Sequence, residues 1–125
     1  MKQVLIIGIV AMVIAVSGCS ITGNAVAEVE ETQVQQAMDD FIKAKLVREG
    51  GTYSIEDRKT EFDYLHDGVN LNDDGLYISC ADFKDGEDVI DVDYYVQVQD
   101  GKYEVVKEVF HKLNGEKVNS VLWEK

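Results

Sequence analysis

The chain contains no proline, one tryptophan, two histidines and two cysteines. Each shortage removes an explanation. Without proline, the turns must be built by glycine, asparagine and aspartate. Two histidines far apart in sequence, with few cysteines, make a poor zinc set. Basic residues are also scarce, with 12 Lys and Arg against 24 Asp and Glu and a net charge of −12. Nucleic-acid binders need a basic surface, so that class is excluded. Anionic lipid headgroups repel such a domain as well, and any membrane attachment needs a separate cause. The acids concentrate between residues 51 and 100, where they read first as a solubilising face and second as a surface for a cation or a basic partner.

What remains is a globular composition, 46% apolar and 9% aromatic over 125 residues, enough for one domain with one modest core. The first 18 residues form a separate unit. Lys2 supplies a positive start, and Val4 to Val16 is an apolar run broken only by one glycine. As a helix at about 1.5 Å per residue it spans about 20 Å, short of the roughly 30 Å hydrocarbon core. That suits an export signal better than a transmembrane span. The run ends in Val16-Ser17-Gly18-Cys19. These four residues resemble the bacterial and archaeal lipobox: an aliphatic residue, a small one, Gly or Ala, then cysteine. The resemblance covers residues 1–19 only. It implies that residues 1–18 are a signal peptide, that Cys19 becomes the N-terminus and carries lipid on its sulfur, and that the domain lies on the extracytoplasmic face of the cell membrane. Residues 19–31, small and polar without period, read as a flexible tether.

The folding unit is expected over residues 32–125. Thr32 and Gln35 have the spacing of a capping box, which predicts a helix from Thr32 to about Glu49, stopped by Gly50-Gly51. Val34, Ala37, Met38, Phe41 and Lys45 form its expected inner face, with Ile42 and Ala44 on the flanks. Turn dipeptides at Asp67-Gly68, Asp74-Gly75, Asp85-Gly86, Asp100-Gly101 and Asn114-Gly115 then separate β-rich runs. Val89 to Gln99 has the cleanest alternation, with Ile90, Val92, Tyr94, Val96 and Val98 on one face and Asp91 and Asp93 on the other. Adjacent Val105 and Val106, and the triplet Val121-Leu122-Trp123, break alternation and predict bulges or two-sided burial. The expectation is an α+β fold: one N-terminal amphipathic helix on a curved antiparallel meander sheet of four to five strands. That arrangement resembles the cystatin-like and nuclear-transport-factor-like architectures, a likeness that carries no function with it.

No motif carries catalysis. Asn70 to Gly75 has the alternating oxygens of half an EF-hand loop, but position twelve falls on Ala81, where a bidentate glutamate belongs. Asp82, Asp85, Glu87, Asp88, Asp91 and Asp93 read as the solvated face of a one-sided sheet. Cys80 reads as a small buried hydrophobe, since neither His66 nor His111 is near it in sequence. Gln97, Gly101 and Trp123 resemble the wedge elements of cystatins, a pattern cheap to find by chance. The expectation is therefore a membrane-anchored, non-enzymatic binding or accessory domain, attached through Cys19, with no cofactor, no metal ligands and no catalytic residues assigned. The alternative is a small-molecule pocket or enzyme built from the curved sheet. A calcium-dependent adhesion module and a cysteine-protease inhibitor stand further off.

Overall fold

The computed structural model describes residues 26–125. Residues 1–18, Cys19 and most of the expected tether lie outside them. Helix α1 (Glu28–Arg48) is followed by β1 (Tyr53–Ile55), β2 (Arg58–Leu65), β3 (Asn70–Leu71), β4 (Tyr77–Asp85), β5 (Asp88–Gln99), β6 (Lys102–Leu113) and β7 (Glu116–Glu124). The strands form one antiparallel sheet in the order β1-β2-β4-β5-β6-β7, with β3 paired to β4. The sheet curls like half a barrel around the helix. Seven strands replace the expected four to five. The additions are β1 and β3, three and two residues long, too short to show a period. Among the described residues no helix is long and apolar enough to cross a membrane.

The helix begins at Glu28, four residues before the expected cap. Its N-cap, Ala27, makes no side-chain hydrogen bond. Glu28, Glu30 and Glu31 in the first turn complement the positive end of the helix dipole instead. Thr32 is inside the helix, where its Oγ1 donates to Glu28 O at 3.1 Å. Gln35 does not reach back; its Nε2 donates to His66 O at 2.8 Å and pins the loop after β2. At the other end, Gly50 N–H donates to Val47 O at 3.3 Å and Gly51 N–H to Leu46 O at 2.8 Å. Both glycines have positive φ, the backbone this double closure requires.

Val34, Met38 and Ile42 are fully buried, a single row at four-residue spacing. The stripe is thus centred on Ile42 rather than Phe41. Phe41 sits on the flank, its ring 5.9 Å from Tyr94 and 5.5 Å from Trp123. The row meets Ile90, Val92, Tyr94 and Val96 of β5, all fully buried in the same core. The helix also packs against β6, whose Val105 and Phe110 join the same core, and at about 1.5–3 kcal/mol for each fully buried large apolar side chain this core is the main source of stability. Val98, at the end of the alternating face, is 37% exposed and lies beyond the cover.

The inner face also holds a buried polar network. The Tyr53 hydroxyl donates to Glu108 Oε2, and the Tyr94 hydroxyl donates to Tyr53 Oη at 2.8 Å. Lys45 Nζ lies 3.6 Å from Glu108 Oε1, donates to Ser54 O at 3.0 Å, and stands 4.1 Å from the Tyr53 ring centre. Burial first, then the charge of Glu108, pushes the Tyr53 phenol well above its ordinary value. Burial does the same to Tyr94.

Register follows the turns. Asp100-Gly101 and Asn114-Gly115 close two-residue hairpins with positive φ at both positions, as type I′ turns require. The β5–β6 pairing then slips twice. Val105 faces Val96 and Lys107 faces Tyr95, so Val106 is an extra residue, and both valines are buried. Phe110 faces Val92 and Lys112 faces Asp91, so His111 is extra too. A third slip leaves Leu122 between the pairs Glu108–Trp123 and Val109–Val121. Bulges therefore account for the broken alternation in both strands.

Candidate functional site

The outer face of the sheet carries the unusual chemistry. Residues with period two share a face, so Cys80 and Asp82 on β4 point away from the helix, as do Asp91 and Asp93 on β5. The β4–β5 register sets Cys80 opposite Asp93 and Asp82 opposite Asp91. Leu65 at the end of β2 pairs with Ala81, and His66 N–H donates to Cys80 O at 2.9 Å, which delivers His66 to the same face. The bulge on β6 turns His111 toward Asp91 and Asp93 from the other side.

Six side chains converge there. His66 Nε2 is 2.7 Å from Asp82 Oδ1, and His66 Nδ1 is 3.0 Å from Cys80 Sγ. An ionised carboxylate only accepts, so Nε2 is the nitrogen that donates to Asp82, and in the neutral ring Nδ1 is then the acceptor toward the Cys80 thiol. The Tyr64 ring stacks on His66 at 5.2 Å. His111 Nδ1 lies 3.4 Å from Asp93 Oδ1 and 3.6 Å from Asp91 Oδ2. Asp91 Oδ1 and His111 Nδ1 are buried atoms with no hydrogen-bond partner. Leaving such groups unpaired costs about 1–3 kcal/mol each, so their presence in one cluster asks for a ligand.

The electrostatics are those of a negative basin. Burial, then the charges of Asp91 and Asp93, pushes the Cys80 thiol up to about 12. Burial also holds the Asp93 carboxyl above its ordinary value, although His111 opposes it. His66, Cys80, Asp91, Asp93 and His111 line a cavity of about 610 Å³, whose wall also includes Glu31, Asp67 and Lys112. Such a site is suited to a cation. His66, Cys80 and Asp91 place their ligand atoms within 4.8 Å of one another, and so do Asp91, Asp93 and His111. These donors match borderline divalent ions, which take imidazole, thiolate and carboxylate together.

This revises several expectations. Cys80 is not a buried hydrophobe and His66 is not a lone residue, because β2–β4 pairing brings them into contact. The two histidines, 45 positions apart (111 − 66), face one cluster through Asp91. The acidic stretch is split rather than uniformly solvated: Asp85 and Asp88 hold Arg58 Nη1 at 2.8 and 3.1 Å, Asp82 holds His66, and Asp91 and Asp93 belong to the candidate ligand groups. In the EF-hand-like loop, Asn72 Oδ1 accepts from Asp74 N–H and Leu76 N–H, each at 2.9 Å, and so serves the turn itself. Trp123 pairs with Glu108, six residues along β6 from the Asp100-Gly101 hairpin at Lys102. That separation is roughly 20 Å at about 3.3 Å per residue, so the two do not form one wedge edge. Set against known proteins, the chain matches no family model, and no curated protein or solved structure gives a significant match.

Proposed function

We propose that this chain is an extracytoplasmic binding domain, tethered to the membrane by lipid on Cys19, whose ligand is a divalent transition-metal ion held on the outer sheet face. The observation that carries the binding reading is the pair of buried, unpartnered atoms, Asp91 Oδ1 and His111 Nδ1, in a cluster of histidine, cysteine and carboxylates. The tether reading is supported by the lipobox at residues 16–19. Lipid chains, at about 0.8 kcal/mol per buried methylene, supply the attachment that an acidic domain cannot obtain from headgroups.

Within the cluster, His66 Nδ1 is a ligand already oriented by its second hydrogen bond, to Asp82. A carboxylate behind a histidine in this way fixes the ring and raises its basicity toward a metal. Cys80, His66 and Asp82 also line up as a thiol, a base and an orienting acid, which suggests a cysteine nucleophile. The field opposes that role. A nucleophilic cysteine needs a lowered thiol pKa beside a cation, whereas burial and then the charges of Asp91 and Asp93 raise this one. The same carboxylates favour a dication. Binding without catalysis is therefore the better account.

Calorimetry of the metal-stripped chain with zinc chloride tests the binding reading. We expect saturable binding that is abolished in Asp91→Asn; no heat beyond dilution from a folded chain overturns it. For the tether, mass spectrometry of the membrane fraction should find Cys19 lipid-modified and N-terminal. An unmodified mature N-terminus at another residue overturns it.

A further inference from the structure

The cluster is two triads of unlike chemistry that share one residue. His66, Cys80 and Asp91 offer nitrogen, sulfur and oxygen, while Asp91, Asp93 and His111 offer nitrogen and two oxygens. Four-coordinate ligands about 2.0–2.3 Å from an ion lie roughly 3.3–3.8 Å from one another. The 3.4 and 3.6 Å separations around His111 already fit that spacing, and the 3.0 Å between His66 and Cys80 needs only slight opening.

Asp91 belongs to both triads. Its Oδ2 faces His111, and its Oδ1 is buried without a partner. A carboxylate in that position can give one oxygen to each of two ions, and two-metal sites hold their ions about 3.5–4 Å apart. The charge also calls for more than one dication. Asp91, Asp93, Glu31, Asp67 and a coordinating thiolate line the cavity, and among the described residues Lys112 is the only lysine or arginine of that lining. One ion in the His66–Cys80–Asp91 half leaves Asp93 without a metal, and one in the Asp91–Asp93–His111 half leaves Cys80 without one.

Building on the metal-binding reading above, we infer that the outer face holds a pair of divalent ions bridged by Asp91. The first is a thiophilic ion such as zinc in the His66–Cys80–Asp91 half, and the second sits in the Asp91–Asp93–His111 half. The thiolate sets the order, since it is the strongest donor to a borderline ion. Asp82 is a positioning residue that holds the His66 ring and touches neither ion. His111 has a positional requirement of its own: it reaches the second ion only because the β6 bulge makes it an extra residue.

The test uses the full chain, stripped of metal and folded by near-ultraviolet circular dichroism, titrated with zinc and, in parallel, with cobalt(II). Native mass spectrometry should show two zinc ions per chain. With cobalt, a sulfur-to-metal charge-transfer band should saturate at the first equivalent, and the second should weaken the electron spin resonance signal as the ions couple. His111→Ala should bind one ion and keep the charge-transfer band. Cys80→Ser should lose that band, and Asp82→Asn should weaken the first ion about 10–100-fold with the stoichiometry unchanged. One ion per wild-type chain, with the thiolate band present, overturns the pair and leaves the metal reading standing. No ion on a folded wild-type chain overturns both.

Discussion

The two faces of the sheet treat buried ionisable groups in opposite ways. On the inner face, Glu108 is 1% exposed, yet Tyr53 and Lys45 meet its two oxygens and Tyr94 extends the chain of hydrogen bonds. On the outer face, Asp91 and His111 are less covered as residues, but each leaves a buried atom with no partner. A buried charge with satisfied partners is part of the structure, and removing one member exposes the rest to an uncompensated cost. A buried group without a partner is a standing cost that the fold carries in the absence of ligand. The difference separates scaffold from site more sharply than burial alone, because both clusters contain buried polar atoms.

The largest effect should come from breaking the inner network. Glu108→Ala leaves Lys45 without its counter-charge and the Tyr53 hydroxyl without its acceptor, and we expect a loss of about 3–5 kcal/mol by urea denaturation. A loss under about 1 kcal/mol would mean that the inner network is no more structural than the outer one. Alkali reads out the same face. Tyr53 and Tyr94 are held above their ordinary value in the fold, so their stabilising effect is complete below about pH 10 and declines as the unfolded chain ionises above it. Tyr53→Phe should flatten the alkaline decline, and an unchanged slope would place that titration elsewhere.

Next in size is the apolar seam. Val96 is fully buried against the helix, and Val96→Ala should cost on the order of 2 kcal/mol. Gln97, on the opposite face, bonds Gln99 Oε1 at 3.2 Å in an exposed position, and its removal should cost within about 0.5 kcal/mol. A reversal of that ranking in paired urea melts would mean that the two faces had been assigned the wrong way round.

Thr32→Ala should have the smallest effect, also within about 0.5 kcal/mol, because the hydroxyl bonds back to Glu28 O and caps nothing. A midpoint shift worth about 1 kcal/mol would restore Thr32 as the N-cap and move the start of the helix.

Local pattern made the scaffold legible. Alternation along Val89 to Gln99 identified the buried β5 face through Val96, and the dipeptides at Asp74-Gly75, Asp85-Gly86, Asp100-Gly101 and Asn114-Gly115 marked hairpins. Asp67-Gly68, by contrast, lies between β2 and β3, which do not pair with each other, and the β1–β2 hairpin at Glu56-Asp57 carries no such signal. The helix stripe was off by one position, since Phe41 and Ile42 are adjacent and only packing decides which is central. Half of the site was legible in principle. A two-residue turn at Gly86-Glu87 dictates the register that sets Cys80 against Asp93 and Asp82 against Asp91. The other half was not. His66 arrives on a short extension beyond β2, and His111 depends on two bulges that displace β6 relative to its hairpin. Side-chain period cannot reveal a bulge's consequences across strands, because one extra residue exchanges the faces.

The most direct test of the account is the stability of wild type and Asp91→Asn, each measured metal-free and with zinc. Without metal, Asp91→Asn should be at least as stable as wild type, because it removes a buried charge with an unpartnered oxygen. With zinc at a hundred times its dissociation constant, wild type should gain about 2.7 kcal/mol and Asp91→Asn nothing. If metal-free Asp91→Asn lost several kcal/mol and zinc left wild type unchanged, Asp91 would be part of the scaffold and the outer cluster would not be a metal site.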